Sequence, residues 1–372
     1  MSRRALITGG AGFIGSHVAD ELIANGYEVR AYDCLDPQVH GPDAKRPAYL
    51  ASEVELVLGD VRDAVALERA LRGIDVVYHF AAAVGVGQSM YEVARYTDVN
   101  TFGTATLLEL LSQRPVERLI VASSMSVYGE GLYVASDGGR VAGRERSMEQ
   151  LKSGAWEVIG DDGNPLEPVP TPETKWPALP SVYALTKYDQ ERLCLLIGRA
   201  YGIPTVALRF FNTYGPRQAL SNPYSGVLAI FASRLLNGKP PLINEDGRQR
   251  RDFVSVRDVA RACRLALEHP AAAGGVFNVA SGVNYTVAAV AAEVATAIGR
   301  YDLEPEITGQ YRFGDIRHCY ADISLATDVL GYQPQVSLEE GLTELAGWLD
   351  GQSAEDHVEA AQAEMTARGL SL

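Results

Sequence analysis

Cysteine is scarce in this chain, and its spacing excludes two kinds of protein. The four cysteines stand far apart, at positions 34, 194, 263 and 319, and no CxxC pair occurs. A disulfide scaffold or a zinc finger requires closely spaced cysteines. We therefore expect structural or core thiols in a reducing cytoplasm, and no metal site.

Basic residues and long apolar runs are also few. Lys and Arg total 33 against 47 Asp and Glu, so the formal net charge is −14. This charge argues against nucleic acid or an anionic membrane as the main partner. No apolar run reaches the length of about 18 residues that a membrane-spanning helix needs. We expect a cytoplasmic globular protein that binds anionic ligands through local basic groups and helix N-termini.

What the chain does contain is a glycine-rich turn near its start. The apolar segment Ala5–Ile7 runs into Thr8-Gly9-Gly10-Ala11-Gly12-Phe13-Ile14-Gly15, and a helical pattern follows. A strand, a glycine turn and a helix can hold a dinucleotide pyrophosphate, because backbone N–H groups and the helix dipole point at the anion. Gly9 permits the tight turn, Gly12 lets the backbone approach the phosphates, and Gly15 allows close packing.

An acidic residue follows at the distance expected for a dinucleotide site. Asp33 ends the next apolar segment, 18 positions after Gly15. A carboxylate there accepts hydrogen bonds from the adenosine ribose hydroxyls and repels a 2′-phosphate. The pattern therefore predicts NAD as cofactor rather than NADP.

The alternation of apolar segments predicts an α/β fold with a Rossmann-type, doubly wound parallel sheet. Strands are expected at 5–8, 28–33, 54–58, 76–80, 118–123 and 205–211, with helices at about 14–25, 64–72, 100–113 and 182–201. Continuous apolar runs such as Leu119–Ala122 are typical of strands whose two faces are both covered.

The chain divides into regions of different composition. Residues 1–215 are predicted to form the NAD-binding domain, and 216–350 mainly a smaller α/β substrate domain with segments returning to the first. Residues 130–180, rich in Gly, Asp, Pro and Glu, form a long insertion that is either a lid, an interaction segment or a flexible loop. Residues 351–372 form a polar tail, expected to be a loosely held terminal helix.

The candidate chemistry lies in Tyr183 and Lys187, four residues apart on a predicted helix and hence on one face. A phenol is a poor base at neutral pH, but a nearby cation stabilises the phenolate and lowers its pKa. Such a pair can take and return the proton of an alcohol. Ser124 follows a buried strand, at the sheet edge where ligands bind, and is the candidate for holding the reacting oxygen.

Several motifs together resemble one family. They are TGGAGFIG at 8–15, GDVRD at 59–63, HFAA at 79–82, Asn100, SSMSVYG at 123–129, YALTK at 183–187, RFFNTYGPR at 209–217, RRDFVSVRDVA at 250–260 and GDIRHCYAD at 314–322. In this order they resemble the extended short-chain dehydrogenase/reductases, specifically nucleotide-sugar epimerases and dehydratases. The stretch around Tyr183 and the insertion are most similar to dTDP-L-rhamnose 4-epimerase-like proteins, with UDP-hexose 4-epimerase-like proteins also close.

The resemblance implies a role for each matching residue. Ser124, Tyr183 and Lys187 are implied as catalytic residues. NAD is implied to contact Gly9, Gly12, Phe13, Ile14, Gly15, Asp33, Asp60, Val61, Ala81, Ala82, Asn100, Ser123, Tyr183 and Lys187, with Asp60 and Val61 at the adenine and Asn100 and Ser123 near the nicotinamide. A nucleotide-diphosphate sugar is implied to contact Gln88, Ser89, Ser124, Asn212, Arg251 and Arg317, the last three at the diphosphate. A homodimer through helices near 100–113 and 182–201 is implied as well.

Two positions bear on the choice of reaction. Family 4,6-dehydratases usually carry Asp-Glu immediately before Val-Tyr-Gly, and decarboxylases carry Glu at the second position, whereas this chain has Met125 and Ser126. The resemblance therefore favours an NAD-dependent 4-epimerase acting on a dTDP- or UDP-hexose, possibly dTDP-L-rhamnose. A 4-ketoreductase, a dehydratase and a non-catalytic NAD-binding protein remain alternatives.

Overall fold

The computed structural model describes residues 3–43 and 45–371, and it contains a central parallel sheet. The strands are β1 Arg4–Thr8, β2 Glu28–Asp33, β3 Glu55–Leu58, β4 Val76–His79, β5 Arg118–Ser124, β6 Leu132–Val134, β7 Arg140–Ala142, β8 Glu167–Val169, β9 Thr205–Phe210, β10 Asn212–Tyr214, β11 Leu242–Ile243, β12 Arg250–Ser255, β13 Val276–Val279, β14 Asn284–Thr286, β15 Glu306–Ile307 and β16 His318–Cys319. Seven of these pair in the order β13-β9-β5-β4-β1-β2-β3.

Helices cover the sheet and build the rest of the chain. They are α1 Phe13–Ala24, α2 Pro37–His40, α3 Ala64–Ala70, α4 Val86–Ser89, α5 Val93–Tyr96, α6 Gly103–Gln113, α7 Met148–Lys152, α8 Val182–Tyr201, α9 Val227–Leu236, α10 Val256–Glu268, α11 Val287–Ala297, α12 Ser324–Leu330, α13 Leu338–Leu349 and α14 Val358–Ala367. A π-helix, Thr97–Phe102, joins α5 to α6, and short 3₁₀ turns lie at Met125–Tyr128 and Pro270–Ala272. In the described part of the chain, no helix has both the length and the apolar character needed to cross a membrane.

The predicted fold class is confirmed, and the strand order locates the ligand site. β1 pairs in parallel with β2 on one side and with β4 on the other. The chain therefore winds outward in both directions from β1, and a crevice opens beyond the carboxyl ends of these strands. Buried residues such as Leu119 and Val121 cover one face of the sheet, and Ile120 the other.

The second half of the chain builds a smaller layer and also returns to the large sheet. β10, β12, β14 and β16 form a second sheet, and α9, α11 and α13 pack around a separate core that includes Phe231 and Phe253. β13 nevertheless pairs with β9 at the edge of the central sheet, and α10 packs against α1. The two halves therefore share one main core.

The insertion is folded, which does not fit the flexible loop among the alternatives. β6 pairs with β7 and β8 in a three-stranded antiparallel sheet around buried Tyr133, Val158 and Leu166. The backbone N–H of Gly131 donates to the carbonyl of His318 at 2.8 Å, which joins the insertion to β16. Its strands have three residues each, too short for a recognisable alternation in the sequence.

The expectation of a loosely held C-terminal helix is wrong. In α14, Ala361 and Met365 are buried, with 8% and 5% of their surface exposed. The backbone N–H of Phe313 donates to the carbonyl of Leu370 at 2.8 Å. Polar composition suggested a solvated tail, but the buried residues lie four apart and form one apolar stripe.

Candidate active site

A single cleft lies at the carboxyl ends of the central strands and extends under the second layer. Its cavity volume is about 900 Å³, at the upper end of the roughly 300–1,000 Å³ typical of ligand pockets. The predicted residues that line it are Gly9, Gly12, Phe13, Ile14, Gly15, Asp33, Asp60, Val61, Ala81, Ala82, Ser123, Ser124, Tyr183, Lys187, Asn212 and Arg251.

The glycine turn has the shape of a phosphate cradle. Gly9 has φ of 71°, and a Cβ built on Gly15 would lie 2.3 Å from the Gly9 carbonyl oxygen, so neither position accepts a side chain. Among the described residues, no side chain caps the N-terminus of α1. The first-turn N–H groups are therefore directed at the cleft, where they fit the pyrophosphate of NAD.

The adenosine end of the cleft carries two acidic groups. The Asp33 carboxylate accepts hydrogen bonds from the backbone N–H of Ala11 at 3.0 Å and of Leu35 at 2.9 Å, which fix its orientation at the end of β2. Asp60 accepts from Arg62, and this hydrogen bond lowers the pKa of the Asp60 carboxyl. Carboxylate oxygens are hydrogen-bond acceptors, suited to ribose hydroxyls or an adenine amino group.

Asn100 supports the cleft from behind rather than lining it. Its side-chain oxygen accepts from the N–H of Ala83 at 2.7 Å, and its amide donates to the Ala83 carbonyl at 3.1 Å. Asn100 is fully buried on the π-helix, and it also donates to Thr186 on α8. The residue therefore fixes the chain after β4 against α8, and its position near the nicotinamide stays a prediction.

Tyr183 and Ser124 both line the cleft, and their hydroxyl groups interact. The chain enters α8 at Ser181, whose hydroxyl caps Ala184, so Tyr183 lies in the first turn. Burial raises the pKa of the Tyr183 phenol, and its interaction with the Ser124 hydroxyl acts in the opposite direction. The Ser124 Oγ in turn donates to Ser126 Oγ at 3.1 Å.

Lys187 lies one helical turn further and is buried. Burial lowers the pKa of its ammonium to about 7, although Glu191 and Cys194 nearby favour the charged form. The Lys187 Nζ donates to Gln190 Oε1, which holds the side chain in place. A lysine whose pKa is near neutral pH can become charged when an anionic ligand or a phenolate lies beside it.

Two arginines, Arg251 and Arg312, line the cleft. Arg251 donates to the backbone carbonyls of Arg317 at 2.8 Å and of Ile316, so its guanidinium is held at the cleft wall. Arg312, which was not predicted, also lines the cleft and pairs with Asp315 at 2.9 Å. Arginines in this position suit a diphosphate, which accepts paired hydrogen bonds from guanidinium groups.

A model of the NAD dependent epimerase/dehydratase family matches residues 5–280. The chain belongs to this family. It is 37% identical to the dTDP-L-rhamnose 4-epimerase of Burkholderia thailandensis over 93% of this chain and 95% of that protein.

Solved structures agree with the family assignment. The UDP-glucose 4-epimerase of Thermotoga maritima, with UDP-glucose, superposes with a TM-score of 0.76 at 33% identity, covering 94% of this chain and 99% of that one. The UDP-glucose 4-epimerase of Thermus thermophilus, in complex with NAD, gives 0.74 at 31% identity over 94% and 99%. The expectation of NAD is confirmed.

One residue predicted for the family's diphosphate site lies elsewhere. Arg317 has none of its surface exposed. Its guanidinium is enclosed by three carboxylates, donating to Glu245 Oε2 at 2.9 Å, to Asp246 Oδ1 at 2.6 Å and to Glu157. Arg317 lies within the motif at 314–322 and Arg312 two residues before it. Only the structure shows that Arg312 lines the cleft while Arg317 joins the insertion to the second layer.

Gln88 and Ser89, expected at the sugar, also lie behind the cleft wall. The Gln88 amide donates to Glu92 at 3.1 Å and its oxygen accepts from Tyr96 at 3.1 Å. The neighbouring Val86 and Gly87 line the cleft in their place. In residues 3–43 and 45–371, no cluster of three or more His, Cys, Asp or Glu could hold a metal ion.

Proposed function

We propose that the protein is an NAD-dependent nucleotide-sugar 4-epimerase that acts through a transient 4-keto sugar. The observation that carries the proposal is that Tyr183, Ser124 and Lys187 line the same cleft as the glycine turn, Arg251 and Arg312. The 37% identity to a dTDP-L-rhamnose 4-epimerase supports it.

The roles follow from the geometry of these side chains. The glycine turn at Gly9–Gly15 would hold NAD, which would supply hydride transfer from and to C4 of the sugar. Tyr183 as phenolate removes the proton of the C4 hydroxyl, and Ser124 hydrogen-bonds the same oxygen. Burial raises the pKa of the Tyr183 phenol. In this proposal the Lys187 ammonium acts against that effect, because a nearby cation favours the phenolate over the phenol.

Elimination of water is disfavoured by the residues beside Ser124. A dehydratase requires an acid and a base near C5 and C6 of the sugar, and Met125 and Ser126 supply neither carboxylate. The Met125 Sδ instead accepts from Asn212 Nδ2 at 3.4 Å, and the Ser126 hydroxyl is bonded to Ser124. The same positions disfavour a decarboxylase.

The substrate in this proposal is a dTDP- or UDP-linked hexose, anchored by its diphosphate at Asn212, Arg251 and Arg312. Anchoring at one end leaves the 4-keto sugar free to turn, so that hydride returns to its opposite face. Asp33 at the adenosine ribose supports retention of NAD through the cycle, in contrast to a 4-ketoreductase that consumes NADPH.

The test is incubation of the purified protein with a panel of UDP- and dTDP-hexoses, without added cofactor, followed by NMR of the sugar. Interconversion of one C4 pair supports the epimerase and identifies the sugar and the base. Turnover that requires NADPH would show a reductase, and a deoxy-keto product would show a dehydratase.

Homodimerisation is part of the same proposal. Large apolar side chains are exposed just before α6 and along α8: Phe102 is 55% exposed, Leu185 46% and Leu196 51%. Two copies that join these helices would bury them together. Sedimentation tests this contact. We expect a dimer for the wild type and a monomer for Leu185→Glu.

A further inference from the structure

The insertion, residues 130–180, contacts the cleft wall from behind without lining the cleft. Apart from Pro180 at its end, none of its residues, all of which the structure describes, lies on the cleft surface. This position does not fit the lid among the alternatives for the insertion. Its contacts lead instead to residues 312–318, a segment of which several residues do line the cleft.

One side of this segment carries the arginines of the cleft. Arg312 belongs to the segment and pairs with Asp315 at 2.9 Å. Arg251 comes from β12, and its guanidinium donates to the backbone carbonyl of Arg317 at 2.8 Å. The positions of both cleft-lining guanidinium groups therefore depend on the path of residues 312–318.

The other side of the segment is held by buried groups of the insertion. Glu130 Oε1 accepts the backbone N–H of Arg317 at 2.6 Å, and Glu130 Oε2 accepts that of His318 at 3.2 Å. The Arg146 guanidinium donates to the backbone carbonyl of Asp315 at 3.3 Å. Only 4% of Glu130 and 3% of the Arg146 side chain are exposed, so water does not compete for these hydrogen bonds.

Glu157 adds a second carboxylate from the insertion. It accepts from the Arg317 guanidinium and lies 3.0 Å from His318 Nε2. Because His318 Nδ1 accepts the backbone N–H of Arg250 at 3.0 Å, the ring proton is on Nε2 and is donated to Glu157. The hydrogen bond from His318, together with those from Arg317, lowers the pKa of the Glu157 carboxyl to about 2. Glu157 is therefore a charged anchor at neutral pH.

Arg146 also contacts a second part of the cleft wall. Its guanidinium pairs with Glu245 Oε1 at 2.8 Å, and Glu245 lines the cleft. Glu245 has φ of 56°, a left-handed conformation that a residue with a side chain keeps only where its surroundings hold it. One guanidinium of the insertion thus joins two cleft-lining residues, Glu245 and Asp315, from behind the wall.

We propose that Arg146 and Glu157 are positioning residues for a ligand diphosphate, an assignment that rests on the proposed 4-epimerase function and its nucleotide-sugar substrate. Neither side chain lines the cleft. They hold residues 312–318 from behind, and this segment fixes the guanidinium groups of Arg251 and Arg312. Paired hydrogen bonds from a guanidinium to a phosphate depend on orientation, so a small displacement of the segment weakens binding.

The test measures the binding of UDP and dTDP by calorimetry, with the wild type, Arg146→Met and Glu157→Gln as purified. Both nucleotides carry the diphosphate and neither requires turnover. We expect the Kd of the nucleotide that the wild type binds to rise about tenfold or more in both variants. In steady-state kinetics KM for the nucleotide sugar should rise more than kcat falls.

Two further variants show whether the effect belongs to these contacts. Arg146→Lys keeps the charge and should recover part of the lost affinity. Arg144→Met removes an arginine of the same loop whose side chain is 77% exposed in its pair with Asp161, and it should bind the nucleotide like the wild type. Glu157→Gln keeps the shape of its side chain, so the test does not depend on the folding of Arg146→Met.

Bound NAD separates positioning from a general effect on the fold, because NAD is expected at the glycine turn. The amount of bound NAD in Glu157→Gln should equal that of the wild type. An unchanged nucleotide Kd in both variants, or a parallel loss of bound NAD in Glu157→Gln, would overturn the inference even if epimerisation is observed. If the nucleotide Kd rises as expected but no hexose is epimerised, the proposed function fails and the positioning role stands.

Discussion

The backbone N–H of Tyr183 donates a hydrogen bond to the Ser89 hydroxyl, with 3.0 Å between the two atoms. The same hydroxyl donates to the carbonyl of Val86. This N–H belongs to the first turn of α8, where helical partners are lacking, and Ser89 has none of its surface exposed. Ser89 is therefore a positioning residue that joins α4 to the helix carrying Tyr183, the phenol on which the proposed reaction depends.

Ser89→Ala should destabilise the protein by about 1–3 kcal/mol, because the buried N–H of Tyr183 loses its acceptor. The displaced phenol should lower kcat more than it raises KM. Denaturant unfolding and steady-state kinetics measure both effects. Ser112→Ala, which removes a hydroxyl bonded within α6, is the control. A raised KM with unchanged stability would mean instead that Ser89 contacts the sugar.

Tyr183→Phe should lower kcat by about 10²–10⁴-fold, since in the proposed reaction the phenol takes and returns the proton. The ring is retained, so the melting temperature and the amount of bound NAD should stay close to those of the wild type. Tyr201→Phe, at the exposed end of the same helix, should have normal activity. Near-normal turnover by Tyr183→Phe would refute the assignment.

Lys187 should give the wild type a pH-dependent stability. Its pKa is about 7 in the folded protein and about 10.4 in an unfolded chain. Between these values the unfolded state binds more protons, so the Lys187 contribution to the free energy of unfolding rises with pH. The free energy of unfolding, measured in urea at pH 7 and at pH 9.5, should therefore increase more between these two values for the wild type than for Lys187→Met.

Lys152→Met removes an exposed lysine from the insertion and is the control. Its free energy of unfolding should change with pH as much as that of the wild type. An equal change in Lys187→Met would mean that Lys187 keeps its proton throughout this pH range. Activity should fall in Lys187→Met and not in Lys152→Met, since only the first substitution removes the charge proposed to stabilise the phenolate.

Arg317 and Arg312 should respond differently to removal of their charge. Arg317→Met leaves Glu157, Glu245 and Asp246 without their shared cation, and it should destabilise the protein by about 3–5 kcal/mol. Arg312→Met should change stability little and raise KM for the nucleotide sugar about tenfold or more. A raised KM in Arg317→Met, with a loss of stability in Arg312→Met, would mean that Arg317 binds the diphosphate.

Much of the fold could be predicted because its signals are local. The strands at 5–8 and 118–123 differ from the observed ends by one residue, since their apolar runs are bounded by glycine or polar residues. The helix at 182–201 has its observed limits, set by a serine cap and Gly202. The helix expected at 100–113 begins in a π-helix, a local widening for which the sequence carries no periodic signal.

The candidate site was predictable where backbone position alone decides it, as at the glycine turn and the strand ends. It was not predictable where a side chain can face either of two directions. Arg312 and Arg317 stand five apart in an irregular segment, and the choice between them depends on carboxylates from Glu157 and Glu245, distant in sequence. The packing of Met365 in α14 on Gly87 was missed for the same reason, because the two residues are remote along the chain.

The edge strand β13 has a consequence for how this protein comes into being. Because Val276–Val279 arrives from beyond the second layer to pair with β9, the nucleotide-binding half emerges from the ribosome with Thr205–Phe210 unpaired along one side. Until about sixty more residues have been made, that open edge can recruit a neighbouring chain. If the gene is split after residue 215, the first half should therefore aggregate when it is expressed by itself. Co-expression of the second half should prevent this aggregation.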